Sequence, residues 1–202
     1  MEPAFFIKGL ILGFSIAAPV GPIGVLCIRR TLTNGILNGF ISGLGTATAD
    51  AIYGCIAAFG ITAAVSFFIE QQTNLRLIGG LYLLYLGYTT FIAQPADQAA
   101  KASGESLPSA YLSAFFLTLT NPMTIMMFAA LFAGVGIGAN AANYSLAGLM
   151  VAGVFTGSLL WWLILSSTVS VLRSRFDHRK LKWVNQLSGV IIVGFGLISL
   201  FS

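Results

Sequence analysis

The chain has 202 residues, 57% of them hydrophobic and only 8% charged, with a formal net charge of +4. Soluble domains carry about 25% charged residues, so this composition excludes a water-coated globule and makes lipid the solvent. The basic residues cluster beside hydrophobic segments, which excludes a nucleic-acid surface and marks them as signals of membrane orientation.

A spanning helix needs about 20 mostly apolar residues at ~1.5 Å rise each, and six segments supply them. The first runs from about Ala4 to Ile28 and is stopped by Arg29–Arg30. Its start resembles a signal peptide, with Lys8 ahead of an apolar run and small residues at Ala17–Ala18. Glu2, the lack of a basic leader and the continuation of the run through Pro19 to Cys27 make it a retained transmembrane helix. The second begins near Ile36, after a Thr33-Asn34-Gly35 turn, and reaches Glu70. That is longer than one span, so it tilts or finishes as a surface helix near Phe67–Ile69. The third covers about Leu75 to Ile92, and a polar stretch from Gln94 to Ser109 follows. The fourth runs from about Ala110 to Val135, with an uncharged loop from Gly136 to Asn143. The fifth covers about Tyr144 to Leu172, and the basic stretch Arg173 to Lys182 separates it from the sixth, about Trp183 to Phe201. Cys27 and Cys55 sit in or beside apolar runs and read as small buried hydrophobes.

The expected fold is therefore all-α: a polytopic bundle of six transmembrane helices forming one domain over residues 1–202. With six spans, the loops after helices one, three and five share a side and carry Arg29, Arg30, Lys101, Arg173, Arg175, Arg179, Lys180 and Lys182. The other side holds only Lys8 and Arg76. This positive-inside bias puts both termini outside. The cytoplasmic linker 94–109 divides the chain into halves, 1–93 and 110–202, of three helices each. An odd number per half forces opposite orientations, so related halves form a 3+3 inverted repeat.

Helix one contains Ala18-Pro19-Val20-Gly21-Pro22, and helix four contains Thr120-Asn121-Pro122. Proline within a helix removes a hydrogen bond and frees a carbonyl, which persists in hydrocarbon only where protein or a watery cavity satisfies it. Broken helices at matching positions of two halves point to a substrate site; the alternative is an ordinary proline kink.

Asp50 is the one ionisable residue well inside a predicted span. It lies about 14 residues, or ~21 Å, beyond Ile36, near mid-membrane. A charged carboxylate there costs about 2.5–3.5 kcal/mol and defaults to a functional role. Gly39, Gly43, Thr46, Asp50 and Tyr53 or Gly54 recur at helical spacing, so Asp50 points into the bundle. Gly39-x-x-x-Gly43 lets helices approach closely; Gly9-x-x-x-Gly13 and Gly153-x-x-x-Gly157 read as packing in the same way. Asp50 is expected to exchange the coupling proton or to pair with a substrate ammonium. The alternative is an Asp50 partnered by Thr46 or Tyr53 that only fixes packing. Trp161, Trp162 and Trp183 suit helix ends or interfaces.

The Pro19-Val20-Gly21-Pro22 break, Arg29–Arg30, the glycine-rich second helix with Gly39, Gly43, Gly45 and Asp50, and Asn121-Pro122 resemble the LysE-type amino-acid exporter family. With size and layout, the resemblance spans nearly the whole chain. It implies a proton-driven exporter of amino acids or close derivatives in the bacterial inner membrane, with no cofactor. Many members have Pro-Gly-Pro without an inserted residue, and many carry lysine where this chain has Met123. The expected substrate and proton site comprises Pro19, Gly21, Pro22, Thr46, Asp50, Tyr53, Asn121 and Pro122, with Gly39 and Gly43 for packing. Half-helix N-termini would hold a substrate carboxylate and freed carbonyls its ammonium. The expected partners are a small-molecule substrate, protons and the bilayer; a homo-oligomer stays open.

Three rival readings have less support in the residues. A divalent-metal exporter needs clustered His, Cys, Asp or Glu in the spans, whereas His178 lies in a basic loop and Asp50 stands alone. An intramembrane enzyme lacks a His-Glu-x-x-His motif or a serine with an intramembrane histidine. A structural membrane subunit has no positive feature in its favour.

Overall fold

A computed structural model of the protein describes residues 2–19, 21–58, 70–93, 106–121, 124, 127–128, 144–173 and 178–201. These form α1 (Glu2–Ala17), α2 (Pro22–Asn34), α3 (Ile36–Ala58), α4 (Gln72–Ile92), α5 (Leu107–Leu119), α6 (Tyr144–Arg173) and α7 (His178–Phe201), with no strand among the described residues. Most of the linker, the end of the second segment and the end of the fourth lie outside the described residues, as do Val20 and Pro122.

The first apolar segment is two helices rather than one: α1 and α2 are bent by 81° at a short break. Pro22 opens α2 at a position where its missing N–H is not needed. Arg29–Arg30 do not end α2, because arginine is a good helix former. The helix runs on to Asn34 and stops at Gly35, whose φ of 96° favours glycine and whose N–H caps the Thr31 carbonyl at 3.1 Å. Among the described residues, three helices are long and apolar enough to cross a membrane, within α4, α6 and α7, and the bent α1–α2 pair makes a fourth. At 23 residues α3 also has the length to span, and its glycines, threonines and Asp50 suit a helix with neighbours on several faces.

α3 packs between α5 and α6, α1 lies against α6, α4 lies against α7, and α2 touches α3, α6 and α7. Glycine decides how close these pairs come. A Cβ on Gly13 would strike the Val154 carbonyl, and one on Gly157 the Leu10 carbonyl, so the α1–α6 seam is backbone on backbone. Gly45 meets the Tyr111 carbonyl of α5 in the same way. Gly80 and Gly87 of α4 face the Gly196 and Gly189 carbonyls of α7. Large side chains on the outer faces of α4 and α7, such as Ile78, Leu81, Leu187 and Val190, are exposed, as lipid contact requires. Trp183 is exposed as well, but Trp162 is not an interface residue: it is 3% exposed and packs in the core against Gly43. A ring that large is accommodated because glycine opposite leaves room for it.

One end of the bundle is tied together by arginines. Arg30, 1% exposed, donates to Ser42 Oγ (2.9 Å) on α3 and to the Ala110 carbonyl (3.2 Å) and Ser113 Oγ (2.7 Å) on α5. Arg29 donates to Asn185 Oδ1 at 3.2 Å, and Asn185 Nδ2 donates to the Ala93 carbonyl at 3.1 Å. Arg173, at the end of α6, donates to the Leu32 and Thr33 carbonyls at 3.0 and 3.2 Å. Arg30 is thus a buried tie between helices, not a solvent-facing orientation signal.

Candidate functional site

The α1–α2 break and the end of α5 meet across a cavity of about 420 Å³, within the 300–1,000 Å³ typical of small-ligand sites. Pro19, Gly21 and Pro22 line it from the first break, Asn121 and Thr124 from the second, and Thr46 and Asp50 from α3. All of these but Thr124 were expected from the sequence, and they share one space. Tyr53 does not line it; Gly39 and Gly43 lie elsewhere, against Thr31 and Trp162 respectively. Pro122 falls outside the described residues.

Each helix end leaves backbone groups unpaired, and the site inherits them. α2 begins at the cavity with no side-chain cap, so its first N–H groups, at Ile23 and Gly24, come at the positive end of the helix dipole. α1 and α5 end there with the negative ends of theirs. One freed carbonyl is satisfied from behind the wall: the Tyr53 hydroxyl donates to the Leu119 carbonyl at 2.7 Å, and its ring stacks on Phe128 at 5.3 Å.

Asp50 is 2% exposed, and Ser158 Oγ on α6 donates to its Oδ2 at 2.7 Å. Thr46 donates to the Ser42 carbonyl at 3.3 Å and Tyr53 to Leu119. Buried and held by the Ser158 hydroxyl, the carboxylate is able to accept a proton or a cation.

Sequence alone did not assign Ser158, which lies behind Asp50, or the lining residues Trp162 and Arg76 to the site. Ser158's partnership with Asp50 spans 108 residues and leaves no local signal. Trp162 lines the cavity, and its buried indole N–H has no acceptor among the described residues. Arg76 of α4 lines it too; its position on the cation-poor side was the available clue.

Comparison with known proteins bears on what this cavity serves. Residues 14–201 match the family model described as LysE type translocator. The chain is 28% identical to a Bacillus subtilis (strain 168) protein whose name assigns it provisionally to amino acid efflux, covering 95% of this chain and 92% of that protein. It is 23% identical to the threonine efflux protein of Salmonella typhimurium (strain LT2), covering 98% of this chain and 97% of that one. An uncharacterized Escherichia coli (strain K12) membrane protein is 27% identical, over 84% of this chain and 77% of its own length. No solved structure matches the chain.

Proposed function

The chain belongs to the LysE type translocator family, and from that premise we propose that it is a secondary transporter exporting amino acids or close derivatives across the bacterial inner membrane, coupled to protons. The observation that carries this reading is the convergence of two helix breaks on a cavity walled by buried Asp50. The substrate class is drawn from the relatives named for amino acid and threonine efflux. The distribution of cations supports six spans with both termini outside.

Internal symmetry supports an inverted 3+3 repeat. Gly153 of α6 closes on the Phe6 carbonyl of α1 as Gly45 of α3 closes on the Tyr111 carbonyl of α5. The α4–α7 contact pairs Gly80 and Gly87 with Gly196 and Gly189, at equal spacing in both helices. Gly45 and Gly153 are 108 positions apart, and so are Asp50 and Ser158. The Asp50–Ser158 hydrogen bond therefore falls where a two-fold axis relating the halves would pass.

In this mechanism Asp50 holds either a proton or the substrate ammonium, and the exclusivity of one carboxylate couples the two fluxes. The N–H groups opening α2 offer donors to the anionic group. Rocking of the halves breaks the arginine ties at one end and exposes the cavity there. Proteoliposome uptake of a panel of amino acids and divalent metals, with and without a proton gradient, tests the proposal. Amino-acid transport abolished in a folded Asp50→Asn variant is the expected result. Normal transport by that variant sinks the role of Asp50, and transport of metals alone sinks the reading.

A further inference from the structure

Arg76 shares the cavity with Asp50, and we infer that its guanidinium recognises the substrate's carboxylate, so that the site selects zwitterions over amines. The inference rests on the transporter reading above and adds the residue that sets its specificity.

Among the described lining residues, Asp50 is the one acid and Arg76 the one cation. Their depths agree. The Arg29–Asn185–Ala93 bridge puts the end of α2 and the end of α4 at the same end of the molecule. From that end, Asp50 lies about 14 residues (~21 Å) beyond Ile36, and Arg76 about 16 residues (~24 Å) before Ile92. The start of α2 lies about 12 residues (~18 Å) before Asn34. Acid, cation and helix N-terminus thus lie near one level.

Arg76 is also held in place. Its carbonyl accepts from Ser199 Oγ at 3.3 Å, which fastens this turn of α4 to α7. One turn on, Gly79 lies against Thr120 at the second helix break, its would-be Cβ 2.9 Å from the Thr120 carbonyl.

Charge supplies the reason for an arginine here. Arg76 and Lys8 are the two cations on the side that the orientation rule depletes. Lys8 is exposed, with its ammonium 5.5 Å from the Phe5 ring centre. Arg76 instead stands half-buried in the cavity wall. A guanidinium at membrane depth is costly, and those that occur face cavities or partners. Its planar fork fits a carboxylate through two parallel hydrogen bonds. Asp50 alone would accept any amine or metal cation, whereas a guanidinium in the same cavity disfavours both unless an anion accompanies them.

The test measures transport of free acids and their carboxamides, beginning with L-threonine and L-threoninamide, in proteoliposomes of wild type, Arg76→Gln and Arg76→Lys. Wild type should prefer the acid. In Arg76→Gln the acid-to-amide ratio of kcat/KM should fall roughly tenfold or more, as expected for loss of a charge-assisted bond; Arg76→Lys should keep part of the preference. A ratio is indifferent to the fraction of protein that folds. If wild type moves threonine but treats acid and amide alike, or Arg76→Gln leaves the ratio unchanged, this inference falls and the export reading stands. If wild type moves no amino acid of the panel, the export reading falls and takes this one with it.

Discussion

Tyr53, one turn beyond Asp50, does at a helix end what water does in a soluble protein. Its hydroxyl supplies a donor to the Leu119 carbonyl, which would otherwise face an environment where an unmet polar group costs about 1–3 kcal/mol. Tyr53→Phe keeps the ring on Phe128 and removes only that donor. It should lower Tm in detergent by a few degrees, roughly 2–6 °C, as read by a thermal unfolding assay; an unchanged Tm means the carbonyl has a second donor. The inward face of Asp50 was legible from the spacing of Gly39, Gly43 and Thr46, because helical period defines a face. Its Ser158 partner was not, since periodicity says nothing about which distant helix that face meets. Trp162 escaped for the same reason: an aromatic near other aromatics looks interfacial until the glycine opposite it is known.

Between elements, affinity comes from close approach rather than from the hydrophobic effect, because lipid is as apolar as leucine. The α1–α6 seam relies on it most, with Gly9 and Gly13 set against Gly153 and Gly157. Gly157→Leu drives a side chain into the Leu10 carbonyl. It should abolish a monodisperse peak in size-exclusion chromatography. Gly148→Ala, on the same helix with nothing within 4 Å of its would-be Cβ, should elute as wild type does. The proline break and the Gly35 stop were legible, since each follows from one residue's own backbone. The continuation of α2 past Arg30 was not. Its guanidinium is satisfied by Ser42, Ala110 and Ser113, and no local pattern announces acceptors on two other helices.

For the whole molecule, the distribution of cations makes a claim that reporters can check. An alkaline phosphatase fused after Phe201 should be active in cells, and one fused within the basic segment between α6 and α7 should be inactive; the reverse would invert the orientation. Composition was enough to exclude a soluble fold, but it understated α3, whose small and polar residues suit a central position better than a lipid-facing one. The seam between α1 and α6 also sets a schedule. Gly13 is made about 144 residues before Gly157, and at about 5–20 residues per second the ribosome needs roughly 7–30 s to cover that distance. Through that interval α1 sits in the bilayer with its glycine stripe against lipid, so the pace of translation governs when its main partner first becomes available.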